Sequence, residues 1–446
     1  MTAVHPNGLV IQLNSLITYR FNNRCLSGRV CLLMEKRKFW SYENKLTAIF
    51  FFSIGFVFFD RLAINYLIPF MQEDFSLTNT QIGMLSSALA ITWALSGPIL
   101  GYISDRVKSK VAVLVSMVLL FSFLSLAHGL AASFAILIVL RLIMGIAEGP
   151  IIPISSSILS VESTPERRGF NLGFTAGTSY GVFGGFLAPL VIVALANATD
   201  WRTAFYLTIL PGLVIALFIL KVVKNPKKNY DTSNSPAIPK EKVSIKQIIK
   251  DRNIWLCVIV SCSFWVFLLP FSIYAPLYLI QVKQLSLSTM SMVMAAFGAG
   301  NAVWGFIVPA ISDRVGRKPT SLIFGVLTLF VPLTLMYVDN VVALSVLIFV
   351  FVSGIGNLTM FTTTIPAETV PIQYAAATIG FILAATEIVG GVLSPLYSGM
   401  AADAWGLTAP LWISAGGGLL AFVFSLFLKE SAPVKVRSNK EMESAI

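Results

Sequence analysis

From residue 46 onward, long apolar stretches alternate with short polar connections. The hydrocarbon core of a bilayer takes about 20 apolar residues of helix. Stretches of that kind lie near 46–70, 81–103, 111–131, 134–159, 170–195 and 203–222, and again near 254–280, 290–311, 320–337, 341–365, 376–398 and 407–428. The pattern predicts an all-α membrane protein of twelve transmembrane helices. A segment rich in Lys, Pro, Ser and Asn, KVVKNPKKNYDTSNSPAIPKEKVSIKQIIKDR at 221–252, interrupts it midway. The expected organisation is an N-terminal segment 1–45, a six-helix bundle 46–222, a linker 223–252, a second bundle 253–428 and a tail 429–446.

A repeat supports the two halves independently. SDRVKSK at 104–110 recurs as SDRVGRK at 312–318, each after the second helix of its half. Glu162 and Pro165 are echoed by Glu368 and Pro371 after the fourth helix of each half. Echoes at nearly one offset argue for duplication, a common plan among secondary transporters, and for two pseudo-symmetric bundles.

Composition agrees: 56% of residues are hydrophobic and 12% charged, against roughly 25% charged in soluble domains. The net charge of +11 does not point to nucleic acid, because the basic residues sit in short runs between apolar stretches. From Met34 onward, 25 Lys and Arg outside the spans fall on the side of the two termini and the linker, and only Arg202 and Lys283 on the other. That imbalance predicts both termini inside, in a bacterial inner membrane. The lipid bilayer is the expected partner. Cys25, Cys31, Cys257 and Cys262 form no CxxC pair, and His5 and His128 are the only histidines, so neither a metal site nor a cofactor is expected. Residues 1–33 lack the pattern of a cleaved signal peptide. The basic run MEKRKFWSYENK marks Met34 as an alternative translation start.

An ionisable side chain in mid-membrane is costly and marks function by default. Asp60, Arg61, Arg141, Glu148 and Glu387 lie clear of the helix ends. Arg141 and Glu148, about two turns apart, share a helical face. Asp60 and Arg61 diverge by about 100°, and Arg61 is expected to face a cavity, where its planar fork suits a carboxylate. Arg141 is expected to pair with Glu148 or Asp60. Glu387 reads as a second protonation site, a partner for substrate hydroxyls or a structural partner for a neighbouring helix. Tyr274 and Asn301 are the favoured polar contacts from the second half. Gly177, Gly181, Gly184 and Gly185 should let backbones approach.

The loop sequence Gly101-Tyr-Ile-Ser-Asp105-Arg106-Val107-Lys108, with its second copy ending at Lys318, resembles the signature G-x-x-x-D-R-x-G-R-K of the major facilitator superfamily. Lys108 and Pro309 depart from it where Gly is preferred. The resemblance runs over about residues 40–430 and implies the major facilitator fold, with Asp105, Arg106, Asp313, Arg314 and Arg317 in a conformational latch. FFDRLAINYLIPF and RLIMGIAEGP resemble the anion:cation symporter branch, which includes galactonate, hexuronate and glucarate permeases. That resemblance implies no enzyme but a transporter, for which a monomer suffices, taking up a small organic anion with a coupling proton by alternating access. Arg61, Arg141, Tyr274 and Asn301 would bind substrate, and Asp60, Glu148 and Glu387 would carry protons. The alternative is a proton-driven efflux antiporter of the same fold. Val182 stands where the antiporter motif carries proline, which disfavours it.

Overall fold

The computed structural model describes residues 19–22, 33–36, 41–225, 251–432 and 435. Twelve helices long and apolar enough to cross a membrane follow in order. They are α1 (Tyr42–Gln72), α2 (Asn79–Ser104), α3 (Lys110–Gly129), α4 (Phe134–Glu162), α5 (Arg167–Ala198) and α6 (Trp201–Val222), then α7 (Arg252–Gln281), α8 (Leu287–Val315), α9 (Arg317–Tyr337), α10 (Val341–Thr369), α11 (Ala377–Trp405) and α12 (Thr408–Ser425). Most outlast their apolar stretch at one or both ends, since polar residues continue the helix beyond the hydrocarbon depth. Before them the backbone pairs two short antiparallel strands, β1 (Tyr19–Asn22) and β2 (Leu33–Lys36), with Phe21 opposite Met34. Apolar patterning gave no hint of this pair. Most of the linker and the end of the tail lie outside the described residues.

Local chemistry sets the helix ends. Ser41, Ser109, Ser133, Asp200, Asp251, Ser286 and Asn340 each accept a backbone N–H of the turn they precede. Thr78 and Gln81 cap α2 reciprocally. These bonds satisfy N–H groups that the helix leaves free. Gly316 (φ 115°) and Gly406 (φ 82°) end α8 and α11 in conformations that side chains resist. α4 breaks at Gly149-Pro150, between the segments Phe134–Glu148 and Ile151–Glu162. The fifth helix of each set of six carries π-helical turns, Tyr180–Leu187 in α5 and Glu387–Leu393 in α11. Such wide turns recur at functional sites.

The two sets of six meet along α5 with α8, α2 with α11, and α1 with α7. At the α5–α8 crossing, a methyl added to Gly181 would lie 2.5 Å from Ala302, and one added to Gly185 would lie 2.6 Å from Gly298. Gly184 faces Phe58 and Leu62 of α1, whereas a methyl on Gly177 would meet nothing within 4 Å. The expected close approach therefore holds for three of the four glycines. Gly177 lies where the bundle is open.

Candidate functional site

The ionisable residues of α1 and α4 gather inside the first six helices. The break after Glu148 ends the first segment of α4, and Gly145 and Gly149 let it lie against α2, where Ser96 Oγ donates to Gly145 O at 2.9 Å. Asp60, Arg141 and Glu148 are all buried. Asp60 Oδ1 accepts from Ser125 Oγ of α3, which meets Thr208 Oγ1 of α6 at 2.5 Å. Neither oxygen of Glu148, nor Asp60 Oδ2, nor Arg141 Nε has a hydrogen-bond partner among the described residues. The pairing expected of Arg141 is thus not made: the described ion pairs include none with Glu148 or Asp60. The two carboxylates act on Arg141 through space, while Ser125 takes the bond at Asp60.

Arg61 reaches across to the last six helices. Its Nη2 donates to Glu387 Oε1 of α11 at 2.7 Å, with side-chain exposures of 10% and 16%, and its guanidinium lies 3.8 Å above the Trp93 ring of α2. Of the three readings open for Glu387, its geometry in this state is that of a helix-to-helix partner. Gly391 makes room for it, since a methyl there would lie 2.7 Å from Glu387 Oε1. Among the described residues, Tyr180 OH and Asn301 Oδ1 are buried without hydrogen-bond partners, and Asn301 Nδ2 donates to Phe297 O at 3.0 Å.

From this level toward the α1–α2 end, hydrogen bonds join the two sets of six. Ser87 Oγ donates to Val392 O at 2.6 Å and Gln281 Nε2 to Gln72 Oε1 at 2.5 Å. Asp403 of α11 caps α2, accepting from Asn79 N at 2.8 Å and from Thr80 N at 2.9 Å and Oγ1 at 2.5 Å. Tyr274, expected at the substrate, is fully buried and donates to Asn79 O and Pro395 O, each at 3.1 Å. With its hydroxyl shared between two carbonyls, it closes this end rather than offering a free donor. At the opposite end the contact is apolar, Phe170 against Phe306 at 6.5 Å.

The residues assigned to the latch divide unevenly. Arg317 bonds Asp313 at 2.7 Å and Glu368 at 2.7 and 3.3 Å. Glu430 accepts from Arg317 N at 2.8 Å and Lys318 N at 3.1 Å. Arg314 is exposed. Arg106 lies over its own neighbour Tyr102, 4.2 Å from ring centre. The side chain of Asp105 lies outside the described residues. Sequence reasoning did not assign Trp93, Ser125, Thr208, Asp403 or Glu430, and it noticed Glu368 only as an echo of Glu162. Polar residues of these kinds recur throughout the chain, so nothing in the sequence singles these out.

A family model described as Major Facilitator Superfamily matches residues 50–388 and 284–445. The chain is 28% identical over 289 residues to a hexuronate transporter of Bacillus subtilis, covering 62% of this chain and 67% of that protein. It is also 28% identical over 282 residues to a probable sulfoacetate transporter of Cupriavidus necator, covering 58% and 63%. The chain thus spans about two thirds of the length of these relatives. Among solved structures, a nucleoside transporter superposes with a TM-score of 0.70 at 14% identity, covering 87% of this chain and 100% of that one.

Proposed function

Because the chain belongs to the Major Facilitator Superfamily, and so is a multi-pass membrane transporter rather than an enzyme, we propose that it takes up a small organic anion of the sugar-acid class together with a proton. The observation that carries this reading is the buried cluster itself. Two guanidiniums, Arg61 and Arg141, share the membrane interior with three carboxylates, and both oxygens of Glu148 are unpartnered. A guanidinium is the group that recognises a carboxylate by a planar fork. A buried carboxylate with neither oxygen bonded is free to accept and release a proton. The hexuronate and sulfoacetate transporters among the relatives carry anions by name, which fits the anion:cation symporter branch.

In this reading Arg61 and Arg141 hold the substrate anion, Asn301 offers its free carbonyl oxygen to a hydroxyl, and Asp60, Glu148 and Glu387 carry protons. Tyr274 seals the outer end. The first six helices (46–222) and the last six (253–428) rock as bundles about the α5–α8 crossing. A basic linker and both termini face the cytoplasm of a bacterial inner membrane. The structure then corresponds to the state closed toward the outside, in which Asp403, Tyr274 and Gln281 hold the halves together. Arg317, Asp313 and Glu368 serve as the latch at the cytoplasmic end. The monomer suffices.

The test is uptake of galactonate, glucuronate, glucarate, glutamate and phthalate into proteoliposomes with an acidic exterior. Accumulation of one of these acids, abolished by Arg61→Ala, is expected. No uptake of any acid, or proton-driven extrusion of another compound, would favour efflux instead.

A further inference from the structure

The bond between Arg61 and Glu387 balances the charge of the guanidinium that the reading above assigns to a substrate anion. It is also the one ion pair among the described residues that joins the first six helices to the last six. An incoming carboxylate therefore meets an Arg61 whose charge is already balanced by a carboxylate of the protein, and gains the full charge of the guanidinium by taking Glu387's place. Glu387 is then left without a cation. On α1 the other charged residue at mid-membrane is Asp60, an anion. α2 presents Trp93, Ala90 and Ser87, with no charged residue between Asn79 and Ser104. α7 presents Trp265 and the Cys262 thiol, with no charged residue between Asn253 and Gln281. Arg141, on α4, is fully buried and feels the charges of Asp60 and Glu148. A largely enclosed carboxylate stripped of its only ion-pair partner is strongly disfavoured unless it is neutralised.

We propose that Glu387 is a resident counter-ion that the transported anion displaces from Arg61, and that the displaced carboxylate takes up the proton accompanying that anion. This rests on the anion reading above and deepens it, by making substrate binding itself the event that recruits the proton. The charge balance is simple. A monovalent anion adds one negative charge, one proton on Glu387 removes one, and the cluster returns to its starting charge. When the anion leaves, Glu387 releases the proton and closes on Arg61 again, restoring the link between the halves in the empty carrier. Gly391 belongs to the device, because the open space over its backbone is where the Glu387 carboxylate lies.

Isothermal titration of purified wild type and Glu387→Gln with D-glucuronate, D-galactonate and sulfoacetate, in two buffers of different ionisation enthalpy, counts protons taken up per anion bound. Wild type should take up about one more proton per anion than Glu387→Gln. The variant should bind the anion about tenfold more tightly, since it no longer loses a charge-assisted bond in doing so. Glu387→Asp should restore the proton count. Gly391→Ala, which crowds the carboxylate without removing it, should tighten binding by a smaller factor and keep the proton, and it stands in if Glu387→Gln does not fold. Unchanged affinity and proton count in Glu387→Gln would overturn the inference while leaving the anion reading intact. If glycine betaine or proline bound to wild type and was lost in Glu387→Gln, Glu387 would be serving a cationic group on the substrate, and the inference would also fall. If none of the three acids bound to any variant, the anion reading itself would fail, and this inference with it.

Discussion

The loop from α2 to α3 and the loop from α8 to α9 carry the same SDRV pattern but are held together differently. In the second, Gly316 turns the chain at φ 115° and Arg317 swings inward to Asp313, Glu368 and Ser312, while Glu430 caps the start of α9. In the first, Lys108 and Ser109 occupy the corresponding places. The chain leaves α2 in extended backbone at Val107, and among the described residues Ser109 is bound to Asn225 and the first turn of α3. Inside the membrane the contrast reverses. α1 and α4 hold Asp60, Arg61, Arg141 and Glu148, whereas their counterparts α7 and α10 carry no charged residue between Asn253 and Gln281 or between Val341 and Ala367. The two halves share a backbone plan but divide the polar chemistry, with four of the five intramembrane ions in the first half, Glu387 of α11 in the second, and the Arg317 network at the second half's loop end.

Glu148→Gln should abolish pH-driven accumulation in proteoliposomes while substrate exchange persists. Ile348→Val in the apolar α10 should leave transport intact at a cost of about 1 kcal/mol in stability. Accumulation undiminished in Glu148→Gln would remove the first half's claim to the proton. Next, Arg317→Ala should destabilise by about 3 kcal/mol in thermal unfolding in detergent, because it strands Glu368. Ser109→Ala at the matching place loses a helix cap and an exposed bond to Asn225, about 1 kcal/mol; equal losses would mean that the two loops are alike after all. Gly185→Val should cost about 2 kcal/mol through overpacking at the α5–α8 crossing, and Gly177→Ala nothing measurable.

The smallest effect concerns the sixth helix of each half. α6 is capped by Asp200, which accepts from Thr203 N at 2.8 Å, whereas Leu407 before α12 makes no side-chain cap. The Thr203 backbone N–H holds the Asp200 carboxyl below the usual carboxylate range. A lowered folded value means that this contribution is present above the unfolded carboxyl's range and lost as pH falls through the folded one. Asp200→Ala should therefore lower the melting temperature slightly at pH 7, and the difference should vanish in acid.

Hydropathy alone carried the count of twelve helices, because the bilayer imposes one length on every span. The five intramembrane ions were legible for the same reason, since apolar surroundings make them conspicuous. Their pairing was not. Arg61 and Glu387 lie 326 residues apart, and no local pattern says that α1 and α11 meet there. The partners of Tyr274 were not legible either, because a tyrosine between two prolines offers the same signal whether its hydroxyl awaits a ligand or is shared between two carbonyls. β1 and β2 are too short for apolar periodicity to register.

The α5–α8 crossing has a mechanical consequence. Where Gly181 and Gly185 lie against Ala302 and Gly298, the two surfaces have almost no protruding groups to interlock, so turning one against the other need not lift side chains out of grooves. Tight contact and low friction come together at that point, as in a journal bearing, and the bulk kept away from these few positions sets how freely the molecule can turn.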